Sequence, residues 1–110
     1  SEPRWVETNR LTVGHVASDV YALVEQEVEK NGREIVERDA SSLTLLVAYP
    51  FALLKNNWGG RIRVTCVADE FGTTMTIHGD GRDAVPRVRA IGEEVLADVV
   101  AALRRLPRTQ

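Results

Sequence analysis

Apolar and polar residues alternate along several segments of the chain, which is the pattern of strands with one buried face. The clearest segment runs from Arg61 to Ala68, where Ile62, Val64 and Cys66 alternate with arginine and threonine residues. The other segments with strand character are 5–13, 33–38, 43–49 and 73–79. The sequence Asp69-Glu70-Phe71-Gly72 predicts a hairpin connection between the last two strands.

Two longer segments follow the 3.6-residue repeat of an amphipathic helix. Apolar residues recur at helical spacing from Val16 to Val28 and predict a helix over about 17–31, which Asn31-Gly32 ends. A longer apolar stripe from Val85 to Leu106 predicts a second helix over about 84–106. Because each helix is apolar along one side only, we expect both to cover the same face of the sheet.

These elements follow one another in the order β-α-β-β-β-β-α. They predict an α+β fold with a mostly antiparallel sheet of four to five strands and two helices packed on one face. The length of 110 residues suits a single domain, 1–110. Apolar residues make up 44% of the chain and charged residues 27%, so we expect a folded, globular protein rather than a disordered one.

Charge and cysteine content exclude several classes of protein. The net charge of −2 argues against nucleic acid as the main partner, because DNA-binding domains usually carry a positive excess. Cys66 is the only cysteine, so the chain can form neither an internal disulfide nor a multi-cysteine metal site. No apolar run approaches the ~20 residues of a membrane span. A reducing, cytoplasmic location fits these features best.

The segment from Phe51 to Trp58 is too apolar for an ordinary loop. Pro50 precedes it, and a proline predicts that strand pairing breaks or reaches a sheet edge. An exposed apolar loop would serve as a dimer contact, a partner contact or the lip of a pocket. Alternatively, the segment folds back as a small core or extends the strands of a long hairpin.

The face of the sheet opposite the core is the second candidate surface. It should carry the polar residues of the two clearest strands, which are Arg61, Arg63, Thr65, Thr74, Thr76 and His78. These residues would suit an anion or nucleic-acid platform, but none of them is an aromatic residue of the kind on which RNA bases stack. The pattern therefore favours an ordinary solvated face.

The remaining polar groups form no clear catalytic arrangement. His78, Asp80 and Asp83 could hold a metal ion, but Asp83 is already explained as a helix N-cap. Cys66 should point into the core, away from His78, so the two are not expected to form a reactive pair. We predict no catalytic, cofactor-binding or metal-binding residue.

The order of elements resembles a known group of proteins. Arg10-Leu11-Thr12-Val13 leads into the helix start Val16-Ala17-Ser18-Asp19-Val20-Tyr21, antiparallel strands follow, and the helix from Val85 to Leu106 closes the chain. This arrangement is similar to the helix-grip group (SRPBCC, START and Bet v1-like carriers) and to TATA-binding-protein-like small α+β domains. The resemblance implies an apolar pocket between the sheet and the long helix, and it carries over no catalytic residue.

We therefore expect a non-catalytic interaction domain that self-associates or docks a protein partner through the open sheet face and the 51–58 loop. One alternative is a carrier of a small apolar ligand or lipid, and another is an enzyme or metal site at 78–83. The candidate interaction or pocket residues are Tyr49, Phe51, Leu53, Leu54, Trp58, Arg61, Arg63 and His78.

Overall fold

The computed structural model describes residues 4–52, 57–83 and 85–106, and for 50–52, 57 and 58 it describes the backbone alone. The described residues form five strands and two helices in the predicted order. The elements are β1 (Trp5–Val13), α1 (Ala17–Lys30), β2 (Glu34–Asp39), β3 (Thr44–Ala52), β4 (Asn57–Asp69), β5 (Gly72–Asp80) and α2 (Val85–Leu103). The predicted α+β class and both predicted helices are confirmed.

The strands form one sheet in the order β1-β5-β4-β3-β2, and every neighbouring pair is antiparallel. The chain crosses from β1 at one edge to β2 at the other through α1, and the last four strands then follow as a meander. Both edge strands are irregular, because β1 has a register shift between Glu7 and Asn9 and β2 has one between Ile35 and Glu37. Such bulges discourage pairing of an edge with another chain.

Both helices pack on one face of the sheet, as the one-sided apolar patterns predict. Leu45, Ile62 and Met75 on the three central strands are fully buried under them. The helices contribute Val20, Val24, Val88, Val95 and Val99 to the same contiguous core. Burial of this apolar surface is the main force that holds the helices on the sheet.

The end of α1 follows the predicted stop signal. Gly32 has a φ of +80°, a left-handed conformation that glycine adopts without a steric penalty. Its N–H bonds to the carbonyl of Glu29, and the N–H of Arg33 bonds to the carbonyl of Val28. This is the Schellman arrangement, and it turns the chain directly into β2.

The hairpin of β3 and β4 extends beyond its neighbours in the sheet. Pairing of β2 with β3 reaches Ala48, and pairing of β4 with β5 begins at Ile62, whereas β3 and β4 remain paired as far as Ala52 and Asn57. We call residues 49–52 and 57–60 the β3–β4 ribbon. Pro50 lies on this ribbon, past the last β2 partner, which agrees with the predicted edge position.

The prediction of a loop over 51–58 is wrong at both of its ends. Phe51 and Trp58 are strand residues that pair directly with each other, because the hairpin register continues without a shift past Pro50. The described residues 51, 52, 57 and 58 therefore extend the strands of a long hairpin, which was the alternative interpretation. Leu53 and Leu54 lie outside the described residues.

Candidate interaction face

The sheet surface opposite the helices, here called the open face, carries the alternate residues of each strand. Strand register brings Arg63 opposite His78, and Thr65 opposite Thr76, as the alternation predicts. Pairing across all five strands gives the open face a central row, which consists of Glu37, Leu46, Arg63, His78 and Glu7. This row begins and ends on an acid and has the cation Arg63 and the imidazole of His78 between them.

Trp5 is the aromatic residue of the open face that sequence reasoning missed. Its indole ring lies 4.9 Å from the guanidinium carbon of Arg63, within the range of a cation–π interaction. Because β5 separates β1 from β4, the indole must extend across the intervening strand to reach Arg63. A tryptophan in a polar strand segment was the one sequence feature that could have indicated this contact. The alternation of a strand does not, however, indicate which distant strand the side chain contacts.

A shallow groove of about 400 Å³ lies on the open face beside this pair. Trp5, Leu46 and Arg63 line it, together with Glu37, Arg38 and Asp39 of β2. The groove thus combines an aromatic ring, an apolar side chain and charges of both signs. Tryptophan and arginine are the residue types that most often dominate binding energy at protein interfaces.

The electrostatics of the open face depend on the groups around His78. Burial lowers the pKa of His78, the positive charge of Arg63 lowers it further, and Glu7 opposes both effects. The imidazole is therefore neutral at pH 7, and its buried Nδ1 has no hydrogen-bond partner among the described residues. Glu7 accepts two hydrogen bonds from Arg10, at 3.1 and 2.8 Å, which lower the pKa of the Glu7 carboxyl.

Tyr49 lies on the other face of the sheet, under the helices. Its side chain is buried among the core residues, and its hydroxyl donates a hydrogen bond to Asp83 Oδ2 at 3.2 Å. Burial, together with the negative charge of Asp83, raises the pKa of Tyr49 to about 12. Tyr49 therefore supports the base of the β3–β4 ribbon rather than the open face.

The other predicted site residues fall into three groups. Arg61, Arg63 and His78 share the open face, where Arg61 is exposed and is paired with Ala48. Phe51 and Trp58 are paired in the backbone of the ribbon. Leu53 and Leu54, as noted above, are outside the described part of the chain.

The acids near His78 have other partners. Asp80 binds the guanidinium of Arg82, with Nε 3.0 Å from each carboxylate oxygen, and this holds the pKa of Asp80 well below its usual range. Asp83 accepts the hydroxyl of Tyr49. Within residues 4–52, 57–83 and 85–106, no three histidine, cysteine or acidic side chains are grouped to hold a metal ion.

The single cysteine, Cys66, is buried. Burial raises the pKa of the Cys66 thiol to about 12, so the thiol stays protonated at pH 7.

The pocket implied by the helix-grip resemblance would lie between the sheet and α2. In this protein Val88, Val95 and Val99 of α2 are at most 2% exposed, and they share one core cluster with Met75 and Ile77. At Gly79 the contact is so close that a Cβ atom would collide with Val88 Cγ1. Side chains therefore fill the space between the sheet and the part of α2 from Val88 to Val99.

No protein-family model matches the chain, and no curated protein matches it either. Neither of the two described helices is long and apolar enough to cross a membrane.

Proposed function

We propose that this domain is a non-catalytic interaction module that binds a second copy of itself through the open face. The observation that carries the proposal is the groove beside Trp5 and Arg63 on the face that the helices leave uncovered. A groove anchored by an aromatic ring and an arginine is the kind of surface on which binding energy concentrates.

The charge pattern favours a second copy over an unrelated partner. The central row carries the acids Glu37 and Glu7 at its two ends and the cation Arg63 between them, next to the neutral ring of His78. A twofold-symmetric pair uses the same patch on both copies, so such a patch must complement itself. A face of mixed sign satisfies this condition, whereas a face of one sign would repel its own copy.

The size of the open face is also consistent with a dimer. Strands lie about 4.8 Å apart and rise about 3.3 Å per residue, so five strands present roughly 500 Å². Two copies packed face to face would bury about 1,000 Å² in total, which is the threshold for a biological interface and is typical of a weak, concentration-dependent dimer. The bulged, charged edges of β1 and β2 make edge-to-edge pairing the less favourable arrangement.

The β3–β4 ribbon provides a second region of contact at one end of the face. Its four residues on each strand project roughly 13 Å past the neighbouring strands, at about 3.3 Å per residue. The directly paired Phe51 and Trp58 make this projection rich in aromatic residues. Aromatic residues are enriched in the buried centres of interfaces.

Sedimentation velocity over a range of protein concentrations tests the proposal. We expect a concentration-dependent dimer for the wild type and a loss of dimer for Arg63→Glu, because the substitution removes the indole contact and places an acid in the middle of the face. The matched control is Arg89→Glu, the same change at an exposed position on α2. It should dimerise as the wild type does.

Two results would contradict this proposal. One is a wild-type domain that remains a monomer at every concentration, and the other is an equal loss of dimer in the Arg63 and Arg89 variants. Trp58→Ala then locates the interface more closely. A weaker dimer would include the ribbon in the interface, and an unchanged one would confine the interface to the open face.

A further inference from the structure

A second groove lies at the end of the sheet farthest from the β3–β4 ribbon. The end of β1, the connection from β1 to α1, the last turn of α2 and the residues just after it line an open groove of about 470 Å³. This volume is within the range of about 300–1,000 Å³ that is typical of small-molecule sites. The apolar residues that line the groove are Leu11, Val13, Val100, Leu103 and Leu106, and the polar ones include His15 and Arg104.

His15 is an unsatisfied polar residue in the wall of this groove. The residue is only 7% exposed, and both ring nitrogens are buried without a hydrogen-bond partner among the described residues. Its backbone is held in place, because its carbonyl accepts a 2.6 Å hydrogen bond from Thr73 Oγ1. A buried ring with neither nitrogen paired is destabilising, and a rotation of the ring towards the groove would let a bound group complete its hydrogen bonding.

Arg104 supplies a positive charge at the opening of the same groove. Its side chain is exposed, and within the described residues it has no carboxylate partner, whereas the Nη2 atom of Arg105 lies 3.9 Å from Glu27 Oε2. The described residues that line the groove include this cation and no acid. The two arginines also offset the partial negative charge at the carboxyl end of α2.

We propose that this groove binds a small amphiphilic carboxylate. The apolar chain of the ligand lies against Leu11, Val13 and Leu103, and its carboxylate accepts hydrogen bonds from Arg104 and from a ring N–H of His15. A guanidinium and a carboxylate match each other in charge and in planar, two-point geometry. The proposal does not depend on dimerisation, because the groove lies on the helix side of the sheet, away from the open face.

Octanoate is a suitable probe, and octan-1-ol is its neutral counterpart with the same chain. In an NMR titration of the purified protein, octanoate should give saturable shifts of the His15 ring and Leu103 methyl signals, while the His78 ring signals serve as the internal control. Because the charge-assisted contact is lost, octan-1-ol should bind about tenfold more weakly.

Two pairs of variants separate the proposed roles. Arg104→Gln should weaken octanoate binding about tenfold, since it removes a charge-assisted hydrogen bond. Arg105→Gln, a change at the next residue, which does not line the groove, should have less than about a twofold effect. His15→Phe keeps an aromatic ring but removes the unpaired nitrogens, so its melting temperature should be no lower than that of the wild type. It should also bind octanoate and octan-1-ol equally well.

The proposal is overturned if the His15 signals show no saturable shift up to the solubility limit of octanoate. It is also overturned if octanoate and octan-1-ol bind equally well, or if Arg104→Gln and Arg105→Gln behave alike. Arg104 is exposed, so its variant tests the proposal even if the His15 variant fails to fold. Arg63→Glu should bind octanoate as the wild type does, which separates this site from the open face.

Discussion

The two faces of the sheet come from the same five strands but are stabilised in different ways. On the covered face, Leu45 is fully buried under the helices together with the alternate residues of β4 and β5. On the open face, its neighbour Leu46 is half-buried and lies in the central row beside Arg63. The comparison shows that adjacent residues of similar chemistry have different roles, because one packs in the core and the other borders a groove.

The adjacent leucines allow the largest test of this comparison. Leu45→Ala should lower the free energy of unfolding by about 2–5 kcal/mol, because it leaves a cavity in a filled core. Leu46→Ala removes the same atoms from a half-buried position and should lower it by less than about 1.5 kcal/mol. Urea denaturation followed by circular dichroism measures both values.

Equal losses for the two leucine variants would mean that the open face is covered by something as well packed as the helices. In that case the measurement should be repeated at the lowest usable protein concentration, where a dimer dissociates. A Leu46→Ala effect that grows with protein concentration would support the proposed interface, because an interface stabilises the fold by mass action.

The covered face could be predicted because the sequence shows both the two-residue alternation of its strands and the 3.6-residue repeat of its helices. Alternation in β4 and β5 and the helical repeat of α2 each identify one apolar side, and burial requires those sides to meet. The apolar run of β3 was harder to interpret, since Leu46 and Ala48 are apolar as well. The shared spacing of Leu45, Val47 and Tyr49 is what assigns Tyr49 to the core.

The open face could not be predicted in the same detail. The contact of Trp5 with Arg63 depends on the strand order β1-β5-β4. In this order β1 pairs with β5, and β5 pairs in turn with β4. Strand order and register are products of the whole fold, and alternation in one segment does not specify them. The burial of the His15 ring without hydrogen-bond partners could not be predicted either, because a single histidine before a helix does not indicate which residues surround it.

Tyr49 offers a second test, since it is a polar group on the covered face. Tyr49→Phe should cost about 0.5–1.5 kcal/mol, because the hydroxyl donates to Asp83. The pKa of Tyr49 is raised to about 12, above the value of about 10 in an unfolded chain. The unfolded state therefore releases this proton first, and the contribution of Tyr49 to stability is present below pH 10 and is lost as the pH rises towards 12.

The measurement compares urea denaturation of the wild type and Tyr49→Phe at about pH 8 and about pH 11. The wild type should lose more stability than the variant over this interval, since groups such as Tyr21 titrate in both proteins and cancel in the difference. An identical pH dependence would show that the hydroxyl is hydrated in the folded state and that the covered face is less closed than the burial of Tyr49 implies.

The smallest expected effect concerns the contact of Trp5 with Arg63, which decides whether the open face has an organised structure before anything binds it. A double-mutant cycle with Trp5→Ala and Arg63→Ala should give a coupling free energy of about 0.5–1 kcal/mol, because the half-buried pair remains partly hydrated. The same cycle with Arg61→Ala is the control, because Arg61 is on the same face two residues away. Urea denaturation at low protein concentration keeps dimerisation out of the comparison.

Coupling with Arg63 alone would mean that the groove is formed in the free monomer. Binding would then lose less conformational entropy on ordering the Trp5–Arg63 pair. Equal coupling with both arginines would instead indicate a general charge effect, and the open face would then be a solvated surface without a preformed site.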